Sequence, residues 1–434
     1  MEIFLFNNHY PISMSHDLII SGNFYLDGLF RSIEVAVTNG KITAIGKDLR
    51  GKRRKELAGA ILPAGTDVHV HFRDPGETEK EDFSTGTASA LSGGTTTIFD
   101  MPNNRIPVAD RGLFEEKLQS VRKKAFCDFG LYSLFTGNNA ADIDQRSSGV
   151  KVFLGGSTNS VVTQKMSGGQ IDLLNSLGVP VVFHAEDEIC LKTHKLGQPE
   201  TLRDHNKFRP EKCENIAVNT MNALNLDKSM IAHISSPKTL VLAEKRLIKE
   251  VTPHHILLND EMNLGPWGKV NPPLRSKNIM EELMRFYLSG KFDLISSDHA
   301  PHTEYEKGEF QSAPSGIIGV ETRIPLLLAL FGKKFLNLDT LVKTAISFPA
   351  EIMGIKKGKV SIGYFADFIN FDPSDITKID ETRLHSKLRV TPFNGFDAIF
   401  PKNVIMRGES VVEDGELIDD HVGEHVKELE AVDH

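Results

Sequence analysis

Between residues 62 and 348 the sequence alternates short apolar segments with longer helical stretches. This alternation is typical of a parallel sheet that is covered by helices on its outer face. Eight segments qualify as strands, and eight is the number that a closed barrel of this kind needs. They span residues 66–71, 95–101, 127–134, 150–154, 179–185, 230–235, 251–257 and 292–298. We therefore predict an α/β fold with a (β/α)8 barrel of the TIM type over residues 63–348.

The two ends of the chain follow a different pattern, in which short strands are separated by turn-prone residues. Strand-like segments precede the barrel and return after it. They span residues 17–20, 33–37, 41–45, 366–371 and 403–406. We predict that residues 1–62 and 349–434 together form one small composite β-sandwich domain. The acidic segment 413–434 is predicted to be a solvated or frayed end.

Composition and charge exclude several classes of partner. The net charge of -8 gives no basic surface for nucleic acid, and no apolar run is long enough to span a bilayer. Residues 1–15 lack the basic and apolar regions of a signal peptide. The three cysteines, Cys127, Cys190 and Cys213, are widely spaced, so we expect a reducing compartment without disulfides or a thiolate zinc site. These observations predict a cytoplasmic protein that acts on a small molecule.

The first predicted barrel strand ends in the strongest chemical signal of the sequence. Side chains alternate along a strand, so His69 and His71 point the same way and can bind one metal ion. His184, His233 and Asp298 end three further predicted strands, and reactive groups of a barrel lie at these carboxyl ends. One histidine in such a place is more often structural. Four histidines and one aspartate around one barrel mouth instead predict a metal site.

Lys151 lies inside the apolar segment 150–154, where its charge must be paired or lost. One explanation is a buried ion pair. Another is N-carboxylation by carbon dioxide, because two divalent metals among neutral imidazoles and one aspartate leave a positive excess that a bridging anion relieves. The residues themselves leave both explanations open.

With these residues in place, further short segments make the chain resemble the dihydroorotases of the amidohydrolase superfamily. The segments that carry the resemblance are 67–76, 93–97, 100–104, 151–154, 184–186, 233–235, 270–275 and 298–302. The resemblance implies reversible, zinc-dependent hydrolysis of (S)-dihydroorotate to N-carbamoyl-L-aspartate. Ring closure is then the direction of pyrimidine biosynthesis.

The resemblance also implies two Zn²⁺ ions per subunit. His69, His71 and Asp298 would hold the first ion. His184 and His233 would hold the second, while N-carboxylated Lys151 and a hydroxide bridge the two. Asp298 would in addition accept the proton of the attacking water.

Arg73 separates this interpretation from its nearest rivals. A guanidinium beside the metal-binding histidines can form a bidentate pair with a carboxylate. Dihydroorotate has a ring carboxylate, whereas allantoin and simple hydantoins lack one. By resemblance, Asn103 and His302 complete the carboxylate clamp, and Asn271 contacts the pyrimidine ring.

Two alternatives follow from the same residues. An allantoinase or hydantoinase would share the metal ligands, but Arg73 and Asn103 disfavour it. A non-catalytic, dihydroorotase-like scaffold of aspartate transcarbamoylase should lack several of the six ligand positions, and all six are present here. The sequence is compatible with a homodimer and with association with aspartate transcarbamoylase.

Overall fold

The structure is a computed structural model that describes residues 16–163, 165–195, 197–418 and 423–429. Its strands are β1 (His16–Leu26), β2 (Leu29–Thr38), β3 (Lys41–Gly46), β4 (Gly51–Pro63), β5 (Gly65–Val70), β6 (Thr95–Asp100), β7 (Asp128–Leu134), β8 (Gly149–Phe153), β9 (Val181–His184), β10 (Ser229–Ile231), β11 (Ile248–Val251), β12 (Leu294–Ile295), β13 (Phe368–Phe371), β14 (Thr377–Lys378), β15 (Asp397–Ala398), β16 (Asn403–Met406), β17 (Glu409–Glu413) and β18 (Glu416–Leu417). Its α-helices are α1 (Phe83–Ser92), α2 (Arg111–Val121), α3 (Gly168–Ser176), α4 (Glu188–His194), α5 (Leu202–Phe208), α6 (Glu211–Ala223), α7 (Pro237–Leu242), α8 (Pro253–Leu257), α9 (Lys277–Leu288), α10 (Arg323–Gly332), α11 (Leu338–Val342), α12 (Phe348–Ile352) and α13 (Val426–Leu429). Short 3-10 turns span Ala140–Asp142, Gly265–Gly268 and Glu381–Arg383, and a π-helical turn spans Lys343–Ser347.

Strands β5 to β12 form the barrel. They lie side by side in chain order, and each pair is parallel. A parallel bridge between Val70 and His299 joins the last strand to the first, and the amide of His71 donates to the carbonyl of His299 at 2.7 Å. The predicted fold class is confirmed.

Local signals define the first crossover helix, α1. The side chain of Asp82 accepts a hydrogen bond from the amide of Thr85 and so caps the amino end of the helix. Gly94, with a φ of +84°, lies directly after the cap at Gly93, and a residue without a Cβ adopts this left-handed conformation at least cost. Strand β6 then begins at Thr95, so the helix delivers the chain directly to the second barrel strand.

The two ends of the chain share one eight-stranded sheet, ordered β18-β17-β16-β13-β4-β1-β2-β3. The pairing of β13 with β4 joins the carboxyl-terminal strands to the amino-terminal strands, with Asn370 opposite Ile61. Strand β4 continues through Ala64 into the first barrel strand, so this sheet lies directly beside the barrel. The limits of the two domains stay a prediction.

The predicted seventh barrel strand was wrong in position. Residues 251–257 were expected to be a strand, but β11 ends at Val251 and Pro253–Leu257 is helix α8. Pro253 occupies the first turn of this helix, where its missing N–H costs nothing. The strand itself contains Lys249 and Glu250, so it does not stand out as an apolar run in the sequence.

The expectation of a frayed carboxyl end was wrong for residues 423–429. The ring of His425 is buried against Phe129, with ring centroids 5.5 Å apart, and the amide of Phe129 donates to the carbonyl of Glu424 at 3.0 Å. Val426 and Leu429 of α13 are buried as well. This segment docks because its apolar residues cover the start of β7. Residues 419–422 and 430–434 lie outside the described residues, as do residues 1–15, to which the signal-peptide prediction applies.

The expectation of no disulfide was also wrong. Cys190 of α4 and Cys213 of α6 are bonded, with Cα atoms 5.3 Å apart, whereas Cys127 is free and buried. The two helices meet where the amide of Asp187 donates to the carbonyl of Cys213 at 2.9 Å, a contact that the spacing of the cysteines does not reveal. The cysteines therefore give no argument for a reducing compartment.

Among the described residues, no helix combines the length and the apolar content needed to cross a bilayer.

Lys357 is a buried cation that joins the barrel to the sheet. Its Nζ lies 2.5 Å from Asp128 Oδ2 at the start of β7 and 2.6 Å from Asp367 Oδ2 just before β13.

We expect Lys357→Met to lower the free energy of unfolding by about 3–5 kcal/mol, because two buried carboxylates lose their main counter-charge. Urea denaturation measures the change. Lys356→Met is the control, because Lys356 is exposed. It should lower the free energy of unfolding by less than about 0.5 kcal/mol. Equal stability of the two variants would contradict this account.

Candidate active site

One cavity at the carboxyl ends of the barrel strands collects nearly all the residues that the sequence singled out. Its lining includes His69, His71, Arg73, Asn103, Lys151, His184, His233, Asn271 and Asp298. The tenth predicted residue, His302, lies beside Arg73, with 3.2 Å between His302 Nε2 and Arg73 Nη2. The structure therefore brings all ten residues together.

Three of the four histidines of the cavity are oriented by outer partners. Asn103 Oδ1 lies 2.7 Å from His71 Nδ1, and Glu186 Oε2 lies 2.8 Å from His184 Nε2. Glu250 Oε1 lies 2.9 Å from His69 Nδ1. Each of these contacts occupies one ring nitrogen and leaves the other directed into the cavity.

The inward nitrogens converge on one another and on one carboxylate. Asp298 Oδ1 lies 3.2 Å from His71 Nε2 and 3.4 Å from His69 Nε2. His184 Nδ1 lies 3.1 Å from His233 Nε2. Two neighbouring groups of nitrogen and oxygen donors result, one around Asp298 and one around His233.

This donor set fits a divalent metal ion. Single ligand atoms of His69, His233 and Asp298 all lie within 4.8 Å of one another. Burial is the main cause that holds the pKa of His69, His71 and His233 well below its ordinary value, and nearby positive charge adds to it. The rings are therefore neutral, as metal-ligating imidazoles must be.

Lys151 is 1% exposed and lies among these imidazoles, with its Nζ 3.4 Å from His69 Nε2. Burial lowers the pKa of Lys151 to about 8, while the charges of Glu250 and Asp298 act in the opposite direction. No carboxylate of the described residues forms an ion pair with the amine. The buried ion pair, one of the two explanations drawn from the sequence, is thus without support in the described part of the chain.

Arg73 has a donor without an acceptor. The side chain is 3% exposed, and its Nε donates to the carbonyl of Pro301 at 3.4 Å. Its Nη1 is buried and has no hydrogen-bond partner among the described residues. Because an unsatisfied buried charged donor is costly, this arrangement suits an anionic group that enters with a ligand.

Three residues of the cavity have a left-handed backbone although they carry side chains. The φ angles are +61° for Arg73, +40° for His233 and +48° for Asp298. Such conformations cost free energy and concentrate at functional sites. Here each one lies just beyond the end of a barrel strand, where it turns the side chain towards the cavity.

Comparisons with known proteins identify the family of the chain. The sequence model of the Amidohydrolase family matches residues 60–411. The chain belongs to the amidohydrolase family. Within it, the chain is similar to the dihydroorotase of Thermoplasma acidophilum, with 53% identity over 410 residues that cover 94% of this chain and 98% of that protein. The dihydroorotase of Methanosarcina acetivorans is 38% identical over 89% of this chain and 90% of that protein.

Solved structures show the same fold in other amidohydrolases. The L-hydantoinase of Arthrobacter aurescens superimposes with a TM-score of 0.87 at 25% identity and covers 95% of this chain and 99% of that chain. The dihydropyrimidinase of Brevibacillus agri gives a TM-score of 0.85 at 23% identity over 94% and 98% of the two chains. The barrel and its sheet are therefore an architecture that enzymes with several names share.

Sequence analysis missed Glu250, which this amidohydrolase buries at the centre of the histidine cluster. Besides His69, its carboxylate accepts hydrogen bonds from the hydroxyl of Ser296 and, at 3.3 Å, from the amide of His233. It therefore links both groups of donors. A glutamate inside a buried barrel strand would have indicated this role. The predicted strand began three residues too late, at residue 251, and so did not include Glu250.

Glu250→Gln should weaken the binding of a divalent metal about 10- to 100-fold, because outer-shell partners of metal-ligating histidines contribute to affinity by this amount. The side-chain NH₂ of the glutamine would also face the backbone N–H of His233, and two donors cannot form a hydrogen bond. Competition with a chelator measures the affinity. Glu214, another buried carboxylate, bonds to Ser235 and to none of the four cavity histidines, so Glu214→Gln should retain metal. Unchanged affinity in Glu250→Gln would rule out its role.

Proposed function

We propose that this cyclic amide hydrolase is a dihydroorotase. It hydrolyses the ring amide of (S)-dihydroorotate to N-carbamoyl-L-aspartate and closes the ring in the reverse direction. The observation that carries the proposal is the buried, unpartnered guanidinium nitrogen of Arg73 beside the ligand histidines, which suits the ring carboxylate of this substrate. The relatives that are 53% and 38% identical bear the same name. The hydantoinase alternative has less support, because hydantoins offer no ring carboxylate to Arg73.

We further propose that two zinc ions bind in the cavity. His69, His71 and Asp298 hold the first, His184 and His233 hold the second, and Lys151 carries a carboxylate group shared by both. When bound, the ions supply Lewis acidity and a water nucleophile of lowered pKa. The support is the set of inward ring nitrogens and the buried amine without a carboxylate partner.

Asp298 moves the proton in this proposal. Its side chain lines the cavity and, at 13% exposed, is more accessible than Glu250 and Glu186, the carboxylates that contact His69 and His184 from outside. It takes a proton from the attacking water and delivers it to the ring nitrogen as the amide bond breaks. In ring closure the same carboxylate takes the proton from the attacking nitrogen.

The remaining residues hold the substrate. Arg73 and His302 face its carboxylate together with Asn103, whose Oδ1 is committed to His71 and whose Nδ2 donates to the carbonyl of Thr158 at 2.9 Å. The second amide hydrogen of Asn103 remains for the ligand. All ten proposed residues come from one chain. Because all six ligand positions are filled, a non-catalytic scaffold has no support.

Arg73→Met tests the assignment. We expect wild-type enzyme to turn over dihydroorotate in preference to hydantoin and allantoin, and the variant to lose roughly 30-fold to several thousandfold in kcat/KM, the equivalent of ~2–5 kcal/mol of charged contact. Zinc content should stay near normal, because no ligand is removed. Arg105 is an exposed arginine after β6, so Arg105→Met should leave kcat/KM within about twofold. A fully active Arg73→Met would refute the proposal.

Lys151→Ala should lose zinc and activity, because the shared carboxylate group disappears. Acetate or propionate should restore part of both, since a small carboxylate can enter the vacated space. Metal analysis and steady-state kinetics measure the two effects. In wild-type enzyme, isotope-labelled bicarbonate should give a carbamate signal by NMR. A bare lysine in fully metallated, active enzyme would show that carboxylation is not required.

A further inference from the structure

The side-chain amide of Asn271 is held in one orientation. Its Oδ1 accepts two hydrogen bonds, from His205 Nε2 at 3.0 Å and from the hydroxyl of Ser315 at 3.0 Å. Its Nδ2 makes a longer contact of 3.4 Å with the hydroxyl of Ser157. Asn271, Ser157 and Ser315 all line the cavity. The oxygen end of the amide is thus bound to the wall, and the N–H end is the one left for a ligand.

His205 is the group that selects this orientation. Its Nε2 also lies 2.9 Å from the carbonyl oxygen of Val270, and a carbonyl oxygen can only accept, so Nε2 must carry a hydrogen. Burial lowers the pKa of His205 to about 3, which leaves the ring neutral near pH 7 with its one N–H at this nitrogen. A reversed Asn271 amide would set its NH₂ group against that N–H.

Helix α5 holds His205 firmly in this place. Thr201 caps the helix by accepting from the amide of Asp204, and Leu202 packs in an apolar cluster with Val270. The side chain of Asn206 donates to Asp260 Oδ2 at 2.9 Å. The packing of Leu202 and the hydrogen bond of Asn206 both tie the helix to the chain around Asn271, so they hold the histidine beside the amide.

We propose that His205 is a positioning residue that fixes Asn271 as a hydrogen-bond donor towards the substrate. The site then selects a ring that presents a carbonyl oxygen at this point and rejects a ring that presents an N–H there. The inference rests on the proposed function, because dihydroorotate offers both kinds of group around its ring. Asn271 would recognise the ring of the substrate, whereas Arg73 would recognise its carboxylate.

Three variants of the full-length, zinc-loaded enzyme test the proposal. His205→Leu should raise KM for dihydroorotate about tenfold or more and change kcat less, because the lost hydrogen bond is made in the ground state as well as the transition state. His205→Gln can place an amide N–H near the position of Nε2 and should recover most of the KM. Asn271→Asp replaces the donor by an acceptor, so it should raise KM at least as much as His205→Leu.

His425→Leu is the matched control, since it removes a buried imidazole at the opposite end of the barrel. It should change the melting temperature and leave KM unaltered. The positioning role is overturned if His205→Leu has a wild-type KM, or if His205→Gln is impaired equally and both changes fall on kcat and melting temperature.

A spectroscopic measurement separates this inference from the proposed function. Nitrogen NMR of histidine-labelled wild-type enzyme at pH 7 should show His205 as the neutral Nε2–H tautomer. A charged ring or an Nδ1–H tautomer would overturn the inference whatever the substrate is. Failure of the wild-type enzyme to turn over dihydroorotate would instead overturn the proposed function.

Discussion

The hydrogen bond from the amide of His71 to the carbonyl of His299 closes the barrel, and the site depends on that closure. Strands β5 and β12 stand at the two ends of the strand order, so in an open sheet the two histidines at the end of β5 and the aspartate after β12 would lie at opposite edges. Once the first and last strands meet, Asp298 comes within 3.4 Å of His69 Nε2 and 3.2 Å of His71 Nε2. One backbone pairing therefore brings together the donors around Asp298.

Closure also buries more polar groups than the cavity itself can satisfy. Lys151 lacks a carboxylate partner, and Nη1 of Arg73 has no hydrogen-bond partner among the described residues. Buried polar groups of this kind cost free energy unless they are paired. Metal ions and an anionic substrate would supply the missing partners. Binding would therefore stabilise the folded protein. The left-handed backbone at Arg73, His233 and Asp298 adds to the same cost.

Substrate choice lies outside the shared architecture. A hydantoinase superimposes with a TM-score of 0.87 at 25% identity, so the barrel and its sheet are compatible with more than one cyclic amide. Discrimination between substrates must come from side chains next to the cavity histidines. In this chain the guanidinium of Arg73 and the amide of Asn271 both line the cavity, and we propose that they contact the carboxylate and the ring of the substrate.

The sequence by itself determined the barrel, the positions of seven of its eight strands, and the place of the histidines, Asp298 and Arg73 at the strand ends. Each of these follows from local periodicity or from the place of a residue at the end of a strand, and both are visible along the chain. Only the tertiary structure decided the bond between Cys190 and Cys213, the docking of His425, the contact of Glu250 with His69 and that of His205 with Asn271. All of these join residues that are far apart in sequence. Their partners depend on how helices and loops pack, and no pattern along the chain records that packing.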